Sequence, residues 1–451
     1  MRRLPFPSPL GSRVAYFVLF CAVLGTSGVT FSWRAAAHGV PAQADDKTPF
    51  GQRFKILVSP GTPADALAYY KNVVTKDTGF PTTPPPSLDD LLRYFGYSLK
   101  AEDLESKDSD LIMKDFPGEE VLVVRFFAPK ITDVSGQSKQ GFGWRKLVRL
   151  KALDASEAVK HELKSMYLLF NVFSKDLTNP FKKADGGANH SVNNQVILVP
   201  KPGAKLPQTA YWMTFGGFDV PKPAERGKLI TYLDATFDAA DPNLTQGTSR
   251  YYVPIACAVC HGGRKPPLLN FLDTDHWLDR IHDDDFDAVG KKQAVLFDAG
   301  TNDTTKPEFK KAFGVFRKLN GEILEQNKAA DPAGKTFQFL AATGWVDGHK
   351  TSADHLTLFE RSITATGSSK WSAADPVDKK LLPLLNRYCY RCHSSVKYHI
   401  YDKSAVLDLS VEMIRRIKIT PYDPKESMPQ DRKLSPSVKD ELLDLLCKVH
   451  S

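Results

Sequence analysis

One five-residue pattern occurs twice in the chain, as Cys257-Ala258-Val259-Cys260-His261 and as Cys389-Tyr390-Arg391-Cys392-His393. In C-x-x-C-H the two thiols can add to the two vinyl groups of one haem, and the adjacent imidazole is placed to ligate its iron. The pattern predicts two covalently bound haem c groups, with Cys257, Cys260, Cys389 and Cys392 as attachment residues and His261 and His393 as iron ligands. A pair of disulfides or a four-cysteine zinc site would use the same thiols. The histidine directly after each second cysteine argues against both.

The element that delivers the second pattern is readable. Val377, Leu381, Leu384, Leu385 and Tyr388 form a helical stripe that runs straight into Cys389. A short helix over Val406 to Ile417 follows. A proline-containing loop, Thr420 to Leu434, then carries Met428-Pro429, and Ser435-Pro436 opens a final helix. The first pattern has no such approach. Ser249 to Pro254 lacks helical periodicity, and Pro254 removes a helix donor. No methionine lies between His261 and Met413, so this haem's iron would take a histidine, some other group, a distant Met113, Met166 or Met213, or nothing as its further ligand. His276 is the nearest candidate, with His282, His349 and His355 as competitors.

Residues 45–250 read as a mixed α/β region. Ala64, Leu67, Tyr70, Val73 and Val74 recur at helical spacing, and Ser87 can cap a helix carrying Leu88, Leu91, Leu92 and Phe95. Val121 to Phe127, Leu147 to Leu153, Gln195 to Val199 and Ala210 to Phe215 read as strands. Helices are expected over Ser156 to Phe173 and around Leu229, Ile230, Tyr232, Leu233 and Phe237. Further on, Phe309, Phe313, Phe316, Leu319 and Ile323 mark an amphipathic helix whose other side is basic, with Lys310, Lys311, Arg317 and Lys318. His161 and His190 read as structural or solvated histidines. The expected fold class is α+β: a signal at 1–44, a mixed α/β domain at 45–250, an atypical first haem domain at 251–370 and a second at 371–451.

The first 44 residues have the features of an export signal. Arg2, Arg3 and Arg13 precede an apolar run from Val14 to Val29, and Ala42-Gln43-Ala44 fits a small-x-small cleavage site. If uncleaved, the stretch from Val14 to Trp33 would nearly reach the roughly 20 residues needed to span a bilayer. Of the six cysteines, Cys21 would leave with the signal and Cys447 remains outside the two patterns, expected as a buried thiol on the last helix. The formal charge is +8; after removal of four arginines, 56 basic face 52 acidic residues, a charge of +4. Nothing in this balance suggests nucleic acid.

Residues 371–451 resemble a class I cytochrome c domain, through Cys389, Cys392 and His393 after a helix and Ser427-Met428-Pro429 before the terminal helix. The resemblance implies His393 as proximal ligand and Met428 as sixth ligand, a pair that raises the potential and suits electron transfer. In bacteria such haem attachment takes place outside the cytoplasm, which implies a periplasmic location. An unlike first haem beside a methionine-ligated second resembles, in layout alone, the bacterial dihaem cytochrome c peroxidases; a rubber-oxygenase type of dihaem protein has a similar open haem. Two functions follow: a carrier moving electrons between periplasmic redox partner proteins, or an oxidoreductase with haem 1 as substrate site and haem 2 as relay. The sequence assigns no catalytic residue.

Overall fold

The computed structural model describes residues 62–116, 118–127, 142–174, 181, 187, 190–219, 223–234, 250–254, 257, 269, 272, 305–330, 371–372, 374–393, 400, 403–420 and 434–450. All of them lie in one compact unit, Gly39–Ser451.

The chain is mixed α+β. Helix α1 (Pro63–Tyr69) opens on a reciprocal capping box between Thr62 and Asp65 and continues through a π-turn (Tyr70–Thr75) to a last turn (Lys76–Thr78). Its buried face is Ala66, Tyr69, Tyr70, Val73 and Val74, while Leu67 faces solvent. Gly79 ends the run at φ +72°, and a Cβ there would stand 2.2 Å from His161 Nε2. Ser87 caps α2 (Leu88–Tyr94) with a second capping box to Asp90, as its sequence predicts. Two short helices, α3 (Ala101–Ser106) and α4 (Ser109–Asp115), precede the sheet.

Strand β1 (Val121–Phe127) coincides with an expected strand, and β2 (Phe142–Lys151) overlaps the one expected over Leu147 to Leu153 but begins five residues earlier and ends two earlier. The helix expected over Ser156 to Phe173 is instead a single turn, α5 (Glu157–Lys160), followed by a twelve-residue strand, β3 (Leu163–Ser174). Met166, Leu168, Phe170 and Val172 alternate at period two and are all buried. Ser156 does cap the turn, its side chain accepting from the Val159 N–H, but Glu162, at φ +58°, turns the chain out of the helix. Strands β4 (Asn193–Pro200) and β5 (Tyr211–Gly216) follow as expected. The second expected helix is also absent. Leu229–Ile230 forms β6 and Tyr232–Asp234 forms β7, because β5 offers an open edge to the first and β8 (Arg250–Tyr252) pairs with the second.

Strands β1 to β6 make one antiparallel sheet in chain order, with Leu122, Arg149, Tyr167, Ile197 and Trp212 in one transverse row. Long helix α6 (Pro307–Ala330) lies against the face that carries this row. Arg149, fully buried on β2, donates to Glu322 Oε1 at 2.7 Å and to the carbonyls of Glu119 and Glu120 at 2.8 and 3.1 Å. The Tyr167 hydroxyl donates to the other Glu322 oxygen at 3.3 Å, and Phe316 packs edge-on against Phe126. Strand pairing and helix packing therefore cross position 250, where the sequence suggested a domain boundary. Two residues of the expected basic face are paired within the chain, Lys311 with Asp110 and Lys318 with Glu119.

The opposite face meets the N-terminal helices. Lys146, on β2 three residues before Arg149, is buried and donates to the carbonyls of Glu105 and Lys107. The Glu105 carboxylate accepts from Ser191 N–H and pairs with His190 Nδ1 at 2.6 Å.

Candidate functional site: the two C-x-x-C-H motifs

The second motif ends a helix. Asp375 accepts from the Val377 N–H at 2.8 Å, and helix α7 (Pro376–His393) then runs through Cys389, Cys392 and His393. Positions 389, 392 and 393 are spaced i, i+3 and i+4, so their backbone positions share one face of the last turns. Cys389 is half-buried and packs with Tyr388 against the core. Helices α8 (Lys403–Lys418) and α9 (Pro436–His450) complete this region, close to their expected bounds. Leu442, Leu445 and Leu446 of α9 are buried. Cys447 is exposed, which corrects the expectation of a buried thiol: it follows Leu446 onto the outer side of α9. Met413 is buried on α8, in keeping with packing.

A polar lock sets the start of α7. The Asp378 side chain is fully buried and the Lys403 ammonium lies 2.7 and 2.8 Å from its two oxygens, with hydrogen-bond geometry to Oδ2. Asp378 also accepts from Ser372 N–H at 2.9 Å; Trp371 donates its indole N–H to the Ile400 carbonyl and lies under the Lys403 ammonium. Because each buried charge is met, α7 is fixed relative to α8 at its first turn.

The first motif is approached by a strand, in keeping with the absence of helical periodicity there. Strand β8 pairs with β7, Val253 N–H donates to the Thr231 carbonyl, and Cys257 N–H donates to the Pro254 carbonyl at 3.1 Å. Cys257 is buried in the hydrophobic core. The phenols of Tyr69 and Tyr70, which accept from the N–H groups of Trp212 and Thr214, face the same region. Burial raises both phenols well above their ordinary value, and the charge of a Cys257 thiolate would raise them further. Both tyrosines are thus neutral hydrogen-bonding groups that complete the β5 edge.

Cys260, His261, His276 and Met428 lie outside the described residues, as do the side chains of Cys392 and His393. No disulfide joins the described cysteines, and among the described residues no group of three or more His, Cys, Asp or Glu is arranged to hold a metal ion. The second motif fits the haem reading by its backbone: two attachment positions and one ligand position on one helical face, with Cys389 half-buried. Also among the described residues, no helix is long and apolar enough to cross a membrane.

Sequence reasoning missed two polar residues of α6. Asn320 and Asn327 continue the stripe of Phe309, Phe313, Phe316 and Ile323 at alternating steps of three and four, and both are buried. Two amides within an apolar stripe were the available signal.

No family model matches the chain, and neither a curated protein nor a solved structure matches it.

Proposed function

We propose that the chain is an exported dihaem c-type cytochrome that transfers electrons between redox partner proteins. The observation that carries this reading is the course of α7, which ends in Cys389, Cys392 and His393 on one helical face. Cys389 and Cys392 would hold one porphyrin, His393 would be its proximal ligand and Met428 its sixth; Cys257, Cys260 and His261 would hold the other. Bound haem would supply one-electron chemistry between ferrous and ferric iron. The chain itself holds the ligand-bearing segments: the Asp378–Lys403 lock orients α7, and the β7–β8 pair with the buried Cys257 fixes the start of the first motif.

A pyridine haemochromogen assay with intact-mass measurement tests this reading. Two covalent haems per chain are expected, falling to one in Cys389→Ala/Cys392→Ala; a chain exported intact without covalent haem refutes it.

A second reading, an oxidoreductase with its substrate site at the first haem, is favoured by the strand-led approach to Cys257. Electron paramagnetic resonance separates the two. A closed six-coordinate first haem in every redox state supports the carrier, and rapid carbon monoxide binding there by reduced protein supports the enzyme.

A further inference from the structure

Asn320 and Asn327 each grip the backbone of a single residue at two points. The Leu272 N–H donates to Asn320 Oδ1 at 2.8 Å, and Asn320 Nδ2 donates back to the Leu272 carbonyl at 2.9 Å. Asn327 treats Leu269 identically, with both bonds at 2.9 Å. Both asparagines and Leu269 are buried. Seven residues of helix span about 10.5 Å, and three residues of extended chain reach about 10 Å. The spacing of the two asparagines is thus within reach of two residues three apart, and the pairing of Asn320 with Leu272 and Asn327 with Leu269 runs opposite to the direction of α6.

The clamp reads backbone alone, which fixes position along the chain as well as distance from the helix. An apolar stripe could bury similar area yet allow slip. Here a displacement short of a whole backbone repeat would leave buried N–H and C=O groups without partners, and a longer one would take the Leu269 side chain out of its buried place. Helix α6 is itself fastened to the sheet through Glu322, Phe316 and a bond from Gln326 to the Thr209 carbonyl at 3.3 Å.

In sequence, Leu269 and Leu272 stand between His261 and His276, the ligand and the candidate ligand of the first haem. On the other side of His261, Cys257 is fixed beside β8. Cys257 and Leu269, the described residues on either side of His261 in sequence, are thus both buried in one core.

We propose that Asn320 and Asn327 are positioning residues for the first haem: by holding the backbone of Leu272 and Leu269 they would fix where the chain that carries its ligand joins the core. This inference rests on the dihaem reading. Neither asparagine is a catalytic residue; each acts through the backbone it holds.

The test uses full-length, haem-loaded protein carrying Asn320→Ala or Asn327→Ala. Covalent haem per chain is counted, and electron paramagnetic resonance and midpoint potentials are recorded for both haems. The second haem's signal is assigned by Cys389→Ala/Cys392→Ala. Expected are two haems per chain, a shifted or split first-haem signal with an altered potential, and an unchanged second haem. Asn320→Ser, which keeps a short donor and acceptor, should move the first-haem signal less than Asn320→Ala; it also provides the comparison with wild type if the alanine variants do not fold. An unchanged first-haem signal, or equal changes at both haems, overturns the inference while leaving the dihaem reading intact. Wild-type protein without two covalent haems overturns both.

Discussion

Glu322→Ala tests whether α6 is held to the sheet by the buried pair with Arg149. The Arg149 side chain is fully buried and that of Glu322 is 20% exposed. Removing one partner of a buried pair costs about 3–5 kcal/mol, because the remaining charge is left uncompensated. Arg149 would keep its bonds to the Glu119 and Glu120 carbonyls, and water could enter where Glu322 is partly exposed. The expected loss is therefore about 2–4 kcal/mol. For a compact unit of this size it corresponds to a melting temperature lower by about 2–5 °C. Urea denaturation followed by far-ultraviolet circular dichroism measures it. Arg149→Met with Glu322→Leu should cost much less than Glu322→Ala, since no orphan charge remains. A loss under about 0.5 kcal/mol in Glu322→Ala, the size of an ordinary surface substitution, would refute the docking.

Three further outcomes follow from the structure. The hydrogen bond that His190 donates to the Glu105 carboxylate raises the imidazole above its ordinary value of 6.5, with Glu102 adding to the effect. Its stabilisation is thus full below about pH 6.5 and is lost as pH climbs through the raised value, so His190→Gln should lower the melting temperature more at pH 6 than at about pH 9; an equal loss at both would remove this role. Gly79→Ala forces a Cβ against His161 at a left-handed backbone position and should cost at least about 1–3 kcal/mol by thermal denaturation; a neutral substitution would show that the His161 ring does not lie there. Iodoacetamide should alkylate Cys447 alone in native, haem-loaded protein, read by peptide mass mapping; protection of Cys447 would place it under another surface.

The parts of the fold that were legible are those whose signals are local. Ser87 and Asp90 specify a helix start within four residues, and the α6, α7 and α9 stripes are long enough to fix their period. The segment after Ser156 misled because Leu163, Met166, Tyr167 and Phe170 also fit helical spacing. What decides it is non-local: β2 and β4 pair along both sides of β3, which no window of its own sequence contains. Leu229 to Leu233 was misread for the same reason. At the site, motif spacing marked the two C-x-x-C-H patterns, and the strand Arg250–Tyr252 agrees with the lack of helical periodicity read ahead of the first. The amide clamp was not legible, because its two halves lie about fifty residues apart and one half is bare backbone.

The sheet's strand order bears on how the chain acquires its native state. Each strand from β1 to β6 pairs with its immediate successor, so every new strand adds to an edge made just before it. Such low contact order favours early, sequential assembly. Helix α6, by contrast, must return across some two hundred residues to reach β1. The platform can therefore form while Asn320 and Asn327 are still distant, leaving the first motif unfastened for an interval. If that motif receives haem, this interval is when an attachment enzyme would have access to it, and docking of α6 would close the interval.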